Sequence, residues 1–373
     1  MKRLRIAYVV HDYHRRGGHS RYVAELVSRF RYEHDIHIFA NHIEEPNSEG
    51  LTFHHVPALR STALSTILSF FLPATFLLRG HFDIIHSQGF CGWQQNITTC
   101  HFIQDAWFDH LRVAQGGRLS WKQNFFRHLV SWLERTAFRS TTRKVIAISK
   151  MIRRDLQTYC YRRRGVDLIY HGVDLETFHP RQRLIWRDVI RRELKVDHNQ
   201  YLVLFVGNPD KGVAPAMRSM ARIPNVIFVI VSGARYDRYS TLAQELAILD
   251  RVRFCPATSH IERYYAAADL FLFPTVYDPF GMVITEAMAS GLSVITSPTA
   301  GASELIDSGI DGFVTRFTWD VDEITNYVQR LLNNPALRRR MGEAARSKIE
   351  AYTWDGVAEK TMRLYQDIAA QSS

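Results

Sequence analysis

The sequence is poor in cysteine. Its 373 residues include 4, Cys91, Cys100, Cys160 and Cys255, and no two of them form a Cys-x-x-Cys pair. That excludes a disulfide-stapled scaffold and a structural zinc ribbon or finger, and it suits a reducing compartment. Long apolar runs are also missing. The run that follows Arg5 ends at Val10, too short for the core of a secretory signal and better suited to a first strand. The stretch from Ala63 to Leu78 is apolar, but it contains Ser65, Thr66, Ser69 and Thr75 and is broken by Pro73. It falls short of the roughly 20 residues that a membrane span needs, so it predicts a buried or surface-lying helix. Internal repeats and low-complexity tracts are absent. So are GxGxxG, GxxxxGK[ST] and HExxH. No aromatic RNP strand or zinc finger accompanies the basic charge, so no nucleic acid partner is expected.

What is present is globular in composition, with 46 % hydrophobic and 23 % charged residues. At about 150 residues per domain, the length predicts two domains. The net charge of +10 is unevenly placed. Residues 1–175 carry 24 basic and 14 acidic side chains, whereas residues 176–373 carry 23 of each. Between Arg112 and Arg164 lie 14 basic residues against only Glu134 and Asp155. Fourteen of the 17 histidines also precede residue 176. A basic half of this kind attracts an anionic partner, such as a phosphate-bearing acceptor or an anionic membrane surface; a solvated basic face is the plainer alternative.

Short runs rich in Val, Ile, Leu and Phe recur along the chain, at 6–10, 36–39, 84–86, 97–101, 145–149 and 168–170, and again at 202–207, 226–232, 252–254, 270–274 and 293–296. Near-continuous apolar strands of this length belong in parallel sheets buried on both faces. Helical periodicity fills the gaps, as in residues 21–30, where Tyr22, Val23, Leu26, Val27 and Phe30 share one side. The alternation predicts an α/β fold of two doubly wound, Rossmann-like domains. The polar stretch 178–200 reads as the linker between them. Two such sheets facing each other would hold ligand in a cleft between their carboxyl edges. The expected division is 1–180, 181–355 and a final helix, 356–373, that crosses back to the first domain.

Three motifs carry chemistry. Arg15-Arg16-Gly17-Gly18-His19-Ser20 follows the first strand and opens a helix. There the glycine backbone and the positive helix end could receive a phosphate. Val206-Gly207-Asn208-Pro209-Asp210-Lys211-Gly212 leaves the first strand of the second half and sets Lys211 on a glycine turn. A lysine so placed is a point charge for phosphate or simply a solvated loop residue. The most informative stretch runs from Tyr277 to Gly291. Asp278 lies in a turn, Gly281 at a helix start and Glu286 within the helix. Carboxylates accept hydrogen bonds from sugar and ribose hydroxyls, and the free N–H groups of Phe280, Gly281, Met282 and Val283 suit a diphosphate.

This stretch resembles the E-x7-E signature of the retaining, two-Rossmann-domain (GT-B) nucleotide-sugar glycosyltransferases of family 4. The resemblance runs over nearly the whole chain. Gly17-Gly18 resembles that family's glycine loop, and Cys100-His101 its active-site histidine position. Val145-Ile-Ala-Ile-Ser149 resembles its V-A-x-S strand, and the run from Ile169 to Pro180 its N-G-V-D-x-x-x-F-x-P stretch. Val206-Gly207 with Lys211-Gly212 resembles its V-G…K-G loop, and the run from Ala267 to Pro274 its A-D-x-x-x-x-P strand. The resemblance implies a metal-independent transferase without cofactor, moving a sugar from a nucleotide donor, UDP-linked in preference to GDP-mannose, to a glycan or lipid-linked acceptor. It implies that Glu286 binds ribose and that Asp278 binds donor sugar hydroxyls. Lys211, with the Gly17 and Gly18 amides, would neutralise the leaving diphosphate, and His101 would face the reacting centre. The setting it implies is synthesis of lipopolysaccharide or another cell-surface polysaccharide. The protein would be cytoplasmic and peripheral on the inner membrane face, held there by the segment from Arg112 to Arg164.

Two departures stand out. Asp278 replaces the usual Glu, and the loop before Lys211 lacks the family's arginine and carries Asn208 and Asp210 instead. Arg15, Arg16 and Arg235 are the candidate substitutes. Together the departures motivate a rival reading, a catalytically degenerate scaffold; an epimerase of the same fold is another. Among weaker signals, Asp105 and Asp109 are candidate acceptor contacts or plain surface acids. Asp320-Val-Asp322 spells a metal-binding DxD but sits where a helix cap belongs. His11, His14 and His19 read as polar loop residues rather than a zinc site.

Overall fold

The computed structural model describes residues 3–15, 17–44, 49–61, 63–114 and 121–371. The chain forms two units, one of residues 1–172 with 354–373, the other of residues 173–353. Arg16 lies outside the described residues, as do residues 115–120 of the basic segment.

In the first unit, seven parallel strands lie in the spatial order Leu51–His55, Asp35–Ala40, Arg5–Val9, Ile84–Gln88, Ile97–Cys100, Lys144–Ala147 and Val166–Leu168. In the second, six strands run Val252–Pro256, Val226–Ser232, Tyr201–Val206, Leu270–Phe273, Val294–Thr296 and Phe313–Val314. Each sheet grows outward from its own first strand, then reverses and adds its fourth on the other side. Val203 pairs with Leu270 in the second unit and Ile6 with Ile84 in the first. Both sheets are therefore doubly wound, and each has a crevice beyond the carboxyl ends of its first and fourth strands, where such folds bind ligand.

The strands form because their side chains are buried on both faces; all seven residues of Val226–Ser232 are buried. The helix Gly18–Phe30 buries the predicted side, Tyr22, Val23, Leu26, Val27 and Phe30. The apolar stretch is a helix, Ala63–Leu77, with Pro73 inside it. It buries Phe70, Phe71 and Ala74 and leaves Leu72 and Phe76 exposed. Among the described residues no helix is long and apolar enough to cross a membrane.

The structure corrects the sequence at several places, among them the short strand Phe313–Val314, which the apolar runs did not show. The strand Leu51–His55 has no apolar run because it is a half-exposed sheet edge. The stretch 178–200 is not a free linker: it contains the helix Gln182–Glu193, whose Arg187 and Arg191 hold the buried Asp269 at 2.6 and 3.0 Å. The first domain ends at Gly172 rather than at 180. Arg346 donates to the carbonyls of Leu175 and Phe178, and Pro180 packs on Gly291, which ties this segment to the second unit.

The helix Trp354–Ala370 belongs to the first unit. Tyr365 donates its hydroxyl to Tyr8 at 2.9 Å and meets His86 Nδ1 at 2.5 Å, while Trp354 packs edge-on against Tyr22. Tyr8, Tyr365 and His86 thus satisfy one another, which is the condition for their burial.

Candidate active site

In the second unit, the loop after the first strand and the loop after the fourth meet at the crevice. Lys211 Nζ and Asp278 Oδ2 form a 2.7 Å ion pair there. The backbone sets both side chains. Asn208 accepts the Asp210 N–H and caps a single 3-10 turn ending in Lys211. Gly212 then takes φ +130°, and a Cβ at this position would lie 2.0 Å from the Pro274 carbonyl oxygen. The Lys211 loop and the end of the fourth strand are thus held backbone to backbone. Gly212→Ala is expected to cost about 2–4 kcal/mol through combined strain and overlap, and to weaken nucleotide binding as Lys211 shifts. Thermal melts with and without nucleotide measure both effects.

Asp278 is held by its own turn. Its N–H donates to Thr299, its carbonyl accepts from Gly301, and its Oδ1 accepts the Phe280 N–H at 3.3 Å. Phe280 is therefore buried, with its amide directed onto Asp278, and is not a free donor for phosphate as its sequence position implied. Gly281, left-handed at φ 84°, caps the helix Met282–Ala289. Met282 and Val283 carry the first N–H groups of that helix, which have no carbonyl within it to accept them. Four residues on from Met282, Glu286 is buried and accepts the Tyr265 hydroxyl at 3.1 Å. Glu286 lines a cavity of about 510 Å³ with Gly207, Asn208, Ser232, Gly233 and Thr258, at the carboxyl ends of the first three strands. That volume is within the range of small-molecule sites.

Asp210 is engaged by the helix that follows the second strand. Its Oδ1 pairs with Arg238 at 2.7 Å and accepts the Tyr239 hydroxyl at 2.8 Å. Arg235, the candidate substitute for the missing arginine, is exposed next to Ala234, which lines this cavity, and lies 3.7 Å from Asp237. Asp320 caps its helix by accepting the Glu323 N–H at 2.9 Å, and Asp322 pairs with Arg222.

In the first unit, the crevice is built from the loop after the first strand, the end of the fourth and the end of the fifth. Gly17, at φ 81°, precedes the helix that Gly18 begins, and nothing lies within 4 Å of a Cβ placed on Gly18. Arg15 is exposed just before them. His101 is buried; its Nε2 lies 2.8 Å from Gln88 Oε1, which places its proton on Nε2. His19 stacks on His101 with centroids 4.2 Å apart, and His171 meets it edge-on at 5.5 Å. Burial, reinforced by these neighbouring rings, holds His101 well below the usual imidazole range. Burial likewise holds His11 and His19 at about 4, and Glu134 rises to about 8. At neutral pH His11, His19, His101 and Glu134 are therefore uncharged.

His11 and His19 are thus not loop residues in water: both line a cavity, which Glu134, Gln88 and His101 share. Glu134 was the residue missed, although it is one of two acids in the basic segment. Asp105 and Asp109 have another role. Asp105 is buried and takes Arg127 and Arg135 at 2.8 and 2.6 Å, while Asp109 takes Arg127 and the Tyr159 hydroxyl. Both carboxylates tie helices together.

The structure therefore brings Lys211, Asp278, Gly281, Met282, Val283 and Glu286 together in one unit, and Gly17, Gly18 and His101 in the other. Two doubly wound parallel domains with these loops define a GT-B-type transferase fold. The model for glycosyl transferases group 1 matches residues 187–348, and that for glycosyltransferase family 4 matches residues 16–177. The chain belongs to this family of glycosyltransferases. It is 32 % identical over 260 residues to an alpha-maltose-1-phosphate synthase of Mycolicibacterium smegmatis, covering 64 % of this chain and 67 % of the relative. WaaG, a glycosyltransferase involved in lipopolysaccharide biosynthesis, has the same fold (TM-score 0.81, 18 % identity, 96 % of this chain and 99 % of that one). So does Anabaena HepE, solved in complex with UDP-glucose (TM-score 0.76, 16 % identity, 98 % and 100 %).

Proposed function

We propose that this glycosyltransferase transfers a sugar, with retention and without a metal, from a UDP-sugar to a hydroxyl of a glycan or lipid-linked acceptor in cell-surface polysaccharide or lipopolysaccharide synthesis. The observation that carries this reading is the Lys211–Asp278 pair at the crevice, beside a cavity lined by Glu286. The acceptor oxygen forms a bond to the anomeric carbon, on the face the diphosphate leaves, as the carbon–oxygen bond to the diphosphate breaks, and the acceptor's hydroxyl proton passes to the departing diphosphate oxygen. The diphosphate leaves with the electron pair and gains negative charge. Lys211 and the N–H groups of Met282 and Val283 stabilise that charge, which is where a fixed site contributes most. Lys211 supplies the cation that a divalent metal would otherwise provide. Asp278 holds the lysine and orients sugar hydroxyls.

Glu286, a buried acceptor-only carboxylate at this cavity, fits the ribose hydroxyls. A hydrogen bond to a charged group contributes about 1.5–3 kcal/mol. Glu286→Gln is therefore expected to raise the donor Kd about 10- to 100-fold while the fold is kept, read by calorimetric titration of UDP. Unchanged UDP affinity contradicts the assignment of the cavity.

A cytoplasmic position on the inner membrane face is part of the proposal. Trp121, Phe125 and Trp132 are exposed on the helix Trp121–Thr136, and Arg139, Arg143, Arg163 and Arg164 line one basic depression. Aromatic and basic groups of this kind favour an anionic lipid surface. The pairing of Asp210 with Arg238 answers only one of the departures behind the scaffold reading, the acid in the Lys211 loop; Asp278 and the missing arginine still motivate that reading.

A further inference from the structure

The second unit has another cavity, of about 520 Å³, at the opposite end of its strands from the donor crevice. Asp269, Leu292 and Ser293 line it at the amino ends of the strands Leu270–Phe273 and Val294–Thr296. The helices Gln182–Glu193 and Pro335–Ile349 wall it with Arg183, Arg338, Arg339 and Arg346. Ser290 and Gly291 line it where the helix Met282–Ala289 ends. The length of that helix, roughly 12 Å, separates this cavity from the crevice at the helix's other end.

Here the arginines outnumber the acids. Asp269 is already shared between Arg187 and Arg191. Arg346 pairs with Glu350 at 2.8 Å, and Arg339 lies 3.8 Å from Glu343. Among the described residues, Arg183 and Arg338 form no ion pair. Each is nevertheless fixed by one nitrogen. Arg183 Nη1 donates to the Ala268 carbonyl at 2.8 Å. Arg338 Nη1 donates to the Leu331 carbonyl at 3.0 Å, and its guanidinium lies over the Tyr201 ring. The two charges are close enough for Arg338 to act on Arg183. Burial, reinforced by Arg187, pushes Arg183 down to about 10, so at neutral pH it keeps its charge without a carboxylate to compensate it.

Two uncompensated guanidiniums on one cavity call for two negative charges on one compact group. A phosphate monoester carries about 1.5 to 2 negative charges at neutral pH, and its oxygens match the planar fork of arginine. A carboxylate or a phosphodiester brings only one. The volume left over is that of a small organic body. We infer that this cavity binds a phosphate monoester, held by Arg183 and Arg338 and separate from the donor crevice.

Calorimetric titration of the full chain with glycerol 3-phosphate tests it, with glycerol as the neutral control. The same titration of Lys211→Ala removes the phosphate affinity of the donor crevice. Glycerol 3-phosphate is expected to bind both proteins, and glycerol neither. Arg183→Gln, and separately Arg338→Gln, are expected to weaken binding about 10-fold or more. Ser347→Glu sets a carboxylate on the exposed rim of the cavity, leaves the hydrogen bonds of both arginines in place, and is expected to do the same. It decides the matter if an arginine variant fails to fold. Vesicles of phosphatidylcholine with and without phosphatidic acid, whose headgroup is also a phosphate monoester, separate a lipid source from a soluble one. Vesicle binding that needs phosphatidic acid and is weakened by Arg183→Gln and Ser347→Glu, without binding of glycerol 3-phosphate, assigns the lipid. Binding of neither probe, binding that these variants leave unchanged, or binding lost only in Lys211→Ala overturns the inference.

Discussion

Lys211→Ala is expected to lose about 10²–10³-fold in turnover while keeping its fold. The magnitude is that of removing one preorganised donor from the site of developing charge. The fold survives because the Lys211–Asp278 pair is partly open to solvent, with 39 % of the lysine side chain exposed. Partly exposed ion pairs contribute about 1 kcal/mol or less to stability. The loss should fall mainly on kcat, since the lysine meets more charge in the transition state than in the bound donor. Lys211→Arg keeps the charge but not its compact shape, so only partial recovery is expected. Steady-state rates together with melting temperatures separate loss of chemistry from loss of structure. Equal falls in activity and in melting temperature would point to a structural lysine.

The second large effect is on acid stability, and it belongs to the first unit alone. Burial lowers His11 and His19 to about 4 and His86 and His171 to about 3, with His101 also held well below its ordinary value. The folded unit then binds fewer protons than the unfolded chain once pH drops below about 6.5. Stability is complete above that value and lost progressively as pH falls toward 4. At pH 5 a fully buried histidine of this kind costs on the order of 2 kcal/mol; His11 and His19, which keep some exposure, cost less. Glu134 acts in the opposite sense. Burial raises it to about 8, so its contribution is fully present below the unfolded carboxyl range and is lost as pH rises through 8. Between pH 4.5 and 6.5 the histidines outnumber it, and net stability falls with acid.

The second unit has no such group of rings. Its buried Asp269 is disfavoured by burial but held below the usual carboxylate range by Arg187 and Arg191, so its contribution is lost only below about pH 4. Calorimetry from pH 7.5 to 4.5, with hydrogen exchange to assign each transition, is expected to show the first unit's melting temperature falling by more than 10 °C and the second unit's moving much less. Parallel shifts in the two units would contradict the histidine account.

What the sequence conveyed and what it hid follow from burial. Strands buried on both faces write themselves as Val/Ile/Leu/Phe runs, so the two parallel sheets were legible to within a residue or two at most ends. Lys211, Asp278 and Glu286 were singled out by the resemblance to family 4, and the fold places the Lys211–Asp278 pair and Glu286 at the same sheet's crevice. The edge strand Leu51–His55 was not, since half of its surface meets water and its composition is mixed. The helix Gln182–Glu193 reads as a solvated, arginine-rich linker because Asp269, which holds two of those arginines, lies far along the chain. Glu134 was obscured in the same way. A lone acid among arginines looks like a surface residue, and only the fold shows that its charged neighbours point to Asp105 while it faces a cavity. Asp105 and Asp109 looked functional for the converse reason, because their arginine partners are distant in sequence.

The central claim is that Lys211, Asp278 and Glu286 form a donor site that works on a nucleotide sugar without metal. Release of nucleoside diphosphate from UDP-, GDP- and ADP-sugars, measured with and without EDTA for the native protein, Lys211→Ala and Glu286→Ala, tests it most directly. The expected result is release from one base, UDP first, unchanged by EDTA and lost in both variants. Release from no donor, or equal release by the native protein and both variants, would contradict it.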